Sequence, residues 1–116
     1  MRPTLLHAFA AAAALTLTNP AIAASPAEDL IQKGDVFYDR LQPAEALKFY
    51  LPAEKLEPDN ARLLVRIARQ YRHLGSDATK RDEKLQLGNV AVDYSKRAVS
   101  LAPNDPEAHL ALAISF

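Results

Sequence analysis

The sequence predicts an all-α fold of stacked helix-turn-helix units, and three observations carry that prediction. Past position 25, apolar residues recur at three- and four-residue spacing, and no stretch alternates apolar and polar as a half-buried strand would. Helix breakers fall at intervals, at Gln42-Pro43, Glu57-Pro58-Asp59-Asn60, Gly75-Ser76-Asp77 and Ala102-Pro103-Asn104-Asp105. One turn is written twice: AEKLEPDNARLL (53–64) returns as AVSLAPNDPEAHL (98–110), and its prolines, Pro58 and Pro103, lie 45 residues apart.

These breakers divide the chain past position 25 into five helices. The first, over 26–40, carries one stripe of Leu30, Ile31, Gly34, Phe37 and Tyr38, which Leu41 continues. The second, over 44–57, carries Ala46, Leu47, Tyr50, Ala53 and Leu56. Pro52 lies inside it, where a missing amide costs about 3 kcal/mol unless the helix kinks, so a bend is expected between Lys48 and Pro52. The third, over 61–74, starts at the capping residue Asn60 and stops before Gly75. The fourth, over 78–101, has Thr79 with Asp82 as its start signal and an apolar stripe of Leu87, Val90, Ala91, Tyr94, Ala98 and Leu101. Gly88 weakens it by roughly 1 kcal/mol relative to alanine. The fifth, over 106–116, follows Pro103-Asn104-Asp105.

The helices repeat in register. Leu30, Gly34 and Phe37 correspond to Leu64, Ala68 and Tyr71, and then to His109, Ala113 and Phe116. In the partner helices Ala46, Ala53 and Pro58 correspond to Ala91, Ala98 and Pro103. Ser95 stands where the first unit has Tyr50, with Tyr94 beside it to compensate. These residues, and a first unit of 34 residues ending at Asn60, resemble the tetratricopeptide repeat. The resemblance implies a short right-handed solenoid: repeat one over 27–60, an extended repeat two over 61–105, and a third repeat over 106–116 that is cut short. The spacing also has a reason of its own. Small residues on paired helices, Gly34 facing Ala46 and Ala68 facing Ala91, let the axes approach near the close end of the 8–10 Å range, with Phe37 and Tyr71 as wedges beside them. Such a hairpin buries its apolar face only by stacking on the next.

The interval of 45 residues exceeds 34 by 11, and the surplus falls within GSDATKRDEKLQLGN (75–89). It reads as a short loop and a lengthened second helix. With ARLLVRIARQYRHL before it and DYSKRAVSLAPNDPEAHLALA after it, repeat two is similar to the regulator of microtubule dynamics family of tetratricopeptide proteins. That resemblance implies a helical adaptor, with animal members linked to microtubules or organelle contacts.

Residues 1–24, MRPTLLHAFAAAAALTLTNPAIAA, join Arg2 to an apolar run from Leu5 to Leu17 and a small-residue end. They read as a secretory signal peptide cleaved after Ala23 or Ala24, with an uncleaved membrane anchor as the alternative. Export would make the protein periplasmic or secreted, off the membrane after cleavage and out of reach of cytosolic tubulin. The 14 basic and 14 acidic side chains give no overall field for nucleic acid or an anionic membrane. The absence of cysteine excludes disulfides, thiolate metal sites and cysteine nucleophiles.

The candidate binding site is the third helix, where Arg62, Arg69 and Arg72 share the face that looks into the groove of such arrays, with Arg66 and His73 near its edge. Asp35 faces them from the first helix. Arginine clusters suit acidic peptides, because the planar fork grips both oxygens of a carboxylate. The alternative is that Glu28, Asp35 and Asp39 pair with the arginines and leave a solvated face. The asparagine with which the chaperone-tail clamp of this superfamily works is replaced here by Asp35 and Arg69. No catalytic, cofactor or metal constellation is expected: His7, His73 and His109 lie far apart, and Gly34, Gly75 and Gly88 form no phosphate loop. AHLALAISF (108–116) has no formal charge, which points to further repeats or to a second subunit against the fifth helix. The expectation is therefore an exported, non-catalytic scaffold that binds protein or peptide in a concave groove. The alternatives are self-assembly through the fifth helix, or an adaptor like the regulators of microtubule dynamics if the N-terminus is not cleaved.

Overall fold

Each helix begins where the sequence supplies a first-turn proline or a capping side chain, with one exception. The computed structural model describes residues 23–116. In it α1 (Pro26–Asp39) starts at Ser25, whose hydroxyl accepts from the Glu28 amide at 3.1 Å, and Glu28 and Asp29 place negative charge at its positive end. Its far end turns through Leu41, which adopts a φ of 57°. The Leu41 and Gln42 amides close back on Tyr38 and Phe37 at 3.1 and 2.9 Å, an arrangement that ordinarily has glycine at the left-handed position. Pro43 then opens α2 (Pro43–Leu56).

Asn60 accepts from the Leu63 amide at 3.1 Å and starts α3 (Ala61–Asp77), while Asp105 accepts from the Glu107 amide at 2.9 Å and starts α5 (Pro106–Ser115). The exception is α4 (Arg81–Leu101), which follows Lys80 without a side-chain cap. Thr79 therefore does not cap it, and the helix begins three residues later than the sequence suggests. Asp82 and Glu83 in its first turn still complement the helix dipole.

The sequence also ends α3 too early. Gly75, Ser76 and Asp77 are helical. Gly75 is buried, and a β-carbon there would lie 3.5–3.6 Å from Leu87 Cβ, the Gly88 nitrogen and the Lys84 carbonyl oxygen. These are ordinary contact distances: Gly75 sits against α4 as a buried helical residue and does not act as a breaker. The extra length of the second unit is consequently shared: α3 has 17 residues against 14 in α1, and α4 has 21 against 14 in α2.

Every helix packs against its neighbour in sequence, and α3 also packs against α5. One core cluster holds Ala46, Leu47, Tyr50, Ala53, Leu63 and Ile67, and a second holds Leu64, Ala98 and Ala108. Tyr94 touches both, stacks on Tyr71 with ring centroids 5.7 Å apart, and donates to Glu54 at 2.8 Å. Arg97 holds the other Glu54 oxygen at 2.8 Å, so α4 is bound to α2 across the boundary between hairpins. Tyr94 thus packs across the boundary between hairpins, whereas Tyr50 packs within its own hairpin against Gly34 and Ser95 is buried at the corresponding place.

The small residues are buried as expected: Ala46, Ala53, Ala68, Ala91 and Ala98 are at most 1 % exposed, and Gly34 is buried. The partner of Gly34 differs. The nearest atoms to a β-carbon there belong to the Tyr50 ring rather than to Ala46. Phe37 is half-buried and stacks on Phe49 at 5.7 Å. Ala113 and Phe116 are exposed, because no helix among the described residues covers that side of α5. α2 runs unbroken through Pro52: Pro52 and Lys48 are both exposed, so the carbonyl deprived of its intrahelical donor lies on the solvent side of the helix. The expected signal segment lies outside the described residues, apart from its last two.

Candidate functional site

The first helices of the hairpins, α1 and α3, together with α5, form a groove whose lining follows the repeat register. On α3 it is Arg62, Val65, Arg69 and Arg72. Of the residues 34 positions earlier, Glu28, Ile31, Asp35 and Tyr38, only Tyr38 lines the groove, whereas those 45 positions later, Glu107, Leu110 and Ile114, all do. Two adjoining clefts result. The first, about 390 Å³, is lined by Tyr38, Arg62, Val65, Arg66, Asp105 and Glu107. The second, about 260 Å³, has Tyr38, Val65, Arg69, Arg72, Glu107, Leu110 and Ile114 among its walls. Tyr38, Val65 and Glu107 belong to both.

The charges in the groove pair only in part. Asp35 accepts from the Tyr50 hydroxyl at 2.5 Å and lies 3.2 Å from Arg66 Nε, so this carboxylate fastens α1 to α2 and to α3. It is a fastening group rather than an open recognition residue. The pairing expected of the whole stripe is thus made by Arg66 alone. Arg62, Arg69 and Arg72 have no carboxylate within ion-pair distance among the described residues, and neither Glu28 nor Asp39 reaches an arginine.

Arg69 is oriented by a different group. Its guanidinium donates to the Tyr38 hydroxyl and lies 4.9 Å from the centre of the Tyr38 ring. Burial and the adjacent Arg69 charge both lower the pKa of Arg72, so the pair stands in a field that an incoming anion would relieve. Beside it, burial, then Arg72 and Arg69, hold the His73 imidazole below its usual range, and His73 Nε2 is buried without a hydrogen-bond partner. Burial and the carboxylate of Asp35 keep the Tyr50 phenol protonated well beyond the ordinary range, and burial and Glu54 do the same for Tyr94.

The structure therefore brings Arg62, Arg69 and Arg72 to one groove as the spacing suggests, and it sets Asp35 apart as a strut. Tyr38, Val65 and Glu107 were not singled out from the sequence. The signal for them was present in the register, because Tyr38 is the first-repeat equivalent of Arg72, and Glu107 the third-repeat equivalent of Arg62. Among the described residues no group of histidine and carboxylate side chains is arranged to hold a metal ion, and no helix is long and apolar enough to cross a membrane.

The family described as Regulator of microtubule dynamics protein 1-3 matches residues 30–116, which takes in all five helices but for the first turn of α1. No curated protein matches the chain.

Proposed function

Because this chain belongs to the regulator of microtubule dynamics protein 1-3 family, and because its groove carries arginines without carboxylate partners, we propose that it is a tetratricopeptide-type adaptor that binds a protein segment and performs no chemistry of its own. The observation that carries this reading is the contrast on α3: Arg66 is paired with Asp35 at 3.2 Å, whereas Arg62, Arg69 and Arg72 line open clefts and make no ion pair among the described residues. Arg72 is partly desolvated and stands beside the charge of Arg69, and an acidic ligand offsets both effects while engaging the open donors of these guanidinium groups. The same reading takes residues 1–24 as an export signal, so the partner is a protein of the exported compartment rather than cytosolic tubulin.

Site-resolved cross-linking tests it. A photoreactive residue in place of Leu110, in the groove, should give adducts in that compartment that vanish in the Arg69→Glu, Arg72→Glu variant while gel filtration remains unchanged. Adducts that form at Lys96, on the surface of α4, and are indifferent to the arginines would overturn the groove. A second reading, self-association through α5, is favoured by Leu110, Ile114 and Phe116, which are 54 %, 49 % and 86 % exposed on one short element. It requires a dimer that Phe116→Ser dissolves.

A further inference from the structure

The geometry points to an extended, doubly acidic segment of pattern acid-x-aliphatic-x-acid, lying along α3, as the ligand of the groove. The inference rests on the groove reading above and goes further by fixing the spacing and conformation of what binds. An α-helix rises about 1.5 Å per residue, so the level midway between Arg69 and Arg72 lies about 13 Å along α3 from Arg62. An extended chain advances about 3.3 Å per residue, so residues i and i+4 are also about 13 Å apart. Successive side chains of an extended chain alternate, and i, i+2 and i+4 therefore face the same side.

Acids at i and i+4 then meet Arg62 at one end and the Arg69–Arg72 pair at the other. The residue at i+2 falls between them, over Val65, which lines both clefts and borders the apolar wall of Leu110 and Ile114. A helical ligand with the same pattern would bring its acids within about 6 Å of each other and could not span the two ends. The fixed groups agree with this. Tyr38 holds Arg69 in place with its hydroxyl and ring, so the fork is oriented before the ligand arrives. Asp105, which caps α5 and lines the first cleft, and Glu107, which lines both, are the acids that oppose the ligand from the facing wall.

The test is fluorescence anisotropy with labelled heptapeptides of one composition: Gly-Asp-Ala-Leu-Ala-Asp-Gly, and Gly-Asp-Leu-Asp-Ala-Ala-Gly with its acids two apart. The first should bind at least about tenfold more tightly, since only it places a charge-assisted contact at both ends. Arg62→Ala should abolish the difference, and Glu107→Gln should strengthen binding of the first peptide. Equal affinity for the two peptides, lost in Arg69→Ala with Arg72→Ala, would overturn the spacing and leave the groove standing. Binding indifferent to all three arginines would overturn the groove as well. The substituted side chains lie on the groove surface outside both core clusters, and circular dichroism verifies that each variant is folded.

Discussion

The Tyr50 ring lies against Gly34 so closely that a β-carbon at position 34 would stand 2.5 Å from Tyr50 Cε1. The ring cannot swing aside. It is fully buried, and its hydroxyl is tied to Asp35 at 2.5 Å. Gly34→Ala is therefore expected to destabilise the fold by about 1–3 kcal/mol through overpacking. The second repeat shows the alternative solution, with alanine at position 68 and the small Ser95, fully buried, at the register place of Tyr50. Adding Tyr50→Ser to Gly34→Ala copies it, and the pair should be less destabilising than the two single effects combined, by about 1 kcal/mol or more. Urea unfolding of the three variants measures the coupling; strict additivity would show that the contact is not what places glycine there.

That contact marks the limit of what the sequence discloses. The apolar stripes and proline-marked turns place all five helices, because period and capping are local properties read one residue at a time. The turn at Gly75-Ser76-Asp77 was misplaced because a glycine need not end its helix, and only the packing of Leu87 and Gly88 beside Gly75 shows that the helix continues under α4. Gly34 was assigned to the right crossing but the wrong partner for the same reason. In the groove, the shared face of Arg62, Arg69 and Arg72 follows from spacing. That Asp35 is taken by Tyr50 and Arg66 depends on side-chain reach between three helices, which spacing does not report.

Glycine is absent at one place where the backbone calls for it and present at another where it does not. Leu41 holds a φ of 57° while 72 % exposed, so its side chain adds strain and little packing. Left-handed backbone costs an L-residue about 1–2 kcal/mol. Leu41→Gly should raise stability by about 0.5–1 kcal/mol, the greater freedom of glycine in the unfolded chain offsetting part of the relief. Gly88 is helical, and nothing lies within 4 Å of a β-carbon there, so Gly88→Ala should add about 1 kcal/mol. Denaturation midpoints read both; a loss at Leu41→Gly would mean that the leucine side chain holds the turn.

Pro52 is the corresponding case in α2. The helix continues through it, and both Pro52 and Lys48 face solvent, so alanine would restore a donor to the Lys48 carbonyl without disturbing the core. Pro52→Ala is expected to stabilise by about 1–3 kcal/mol, less than the full propensity difference because proline also restricts the unfolded chain. A lower melting temperature would indicate that the proline ring itself, or the restriction it places on the unfolded chain, contributes more than the restored hydrogen bond.

His73 gives the fold a specific sensitivity to acid. Burial, reinforced by Arg72 and Arg69 and opposed by Asp77, depresses its pKa below the ordinary 6.5, and its buried Nε2 has no hydrogen-bond partner that would stabilise the protonated ring. The unfolded chain therefore takes up this proton before the folded chain does. The stabilising contribution of neutral His73 is complete above about pH 6.5 and is lost as the pH falls below it, at no more than about 1.4 kcal/mol per pH unit for a single proton. His73→Gln removes that titration and leaves His109 and all carboxylates in place, so a difference between the two pH profiles belongs to His73. Urea midpoints at pH 7, 6 and 5 should fall more steeply for the natural chain than for the variant. Parallel profiles would mean that His73 accepts its proton in the folded state as easily as in the unfolded one, through a movement of α3 that gives Nε2 access to water.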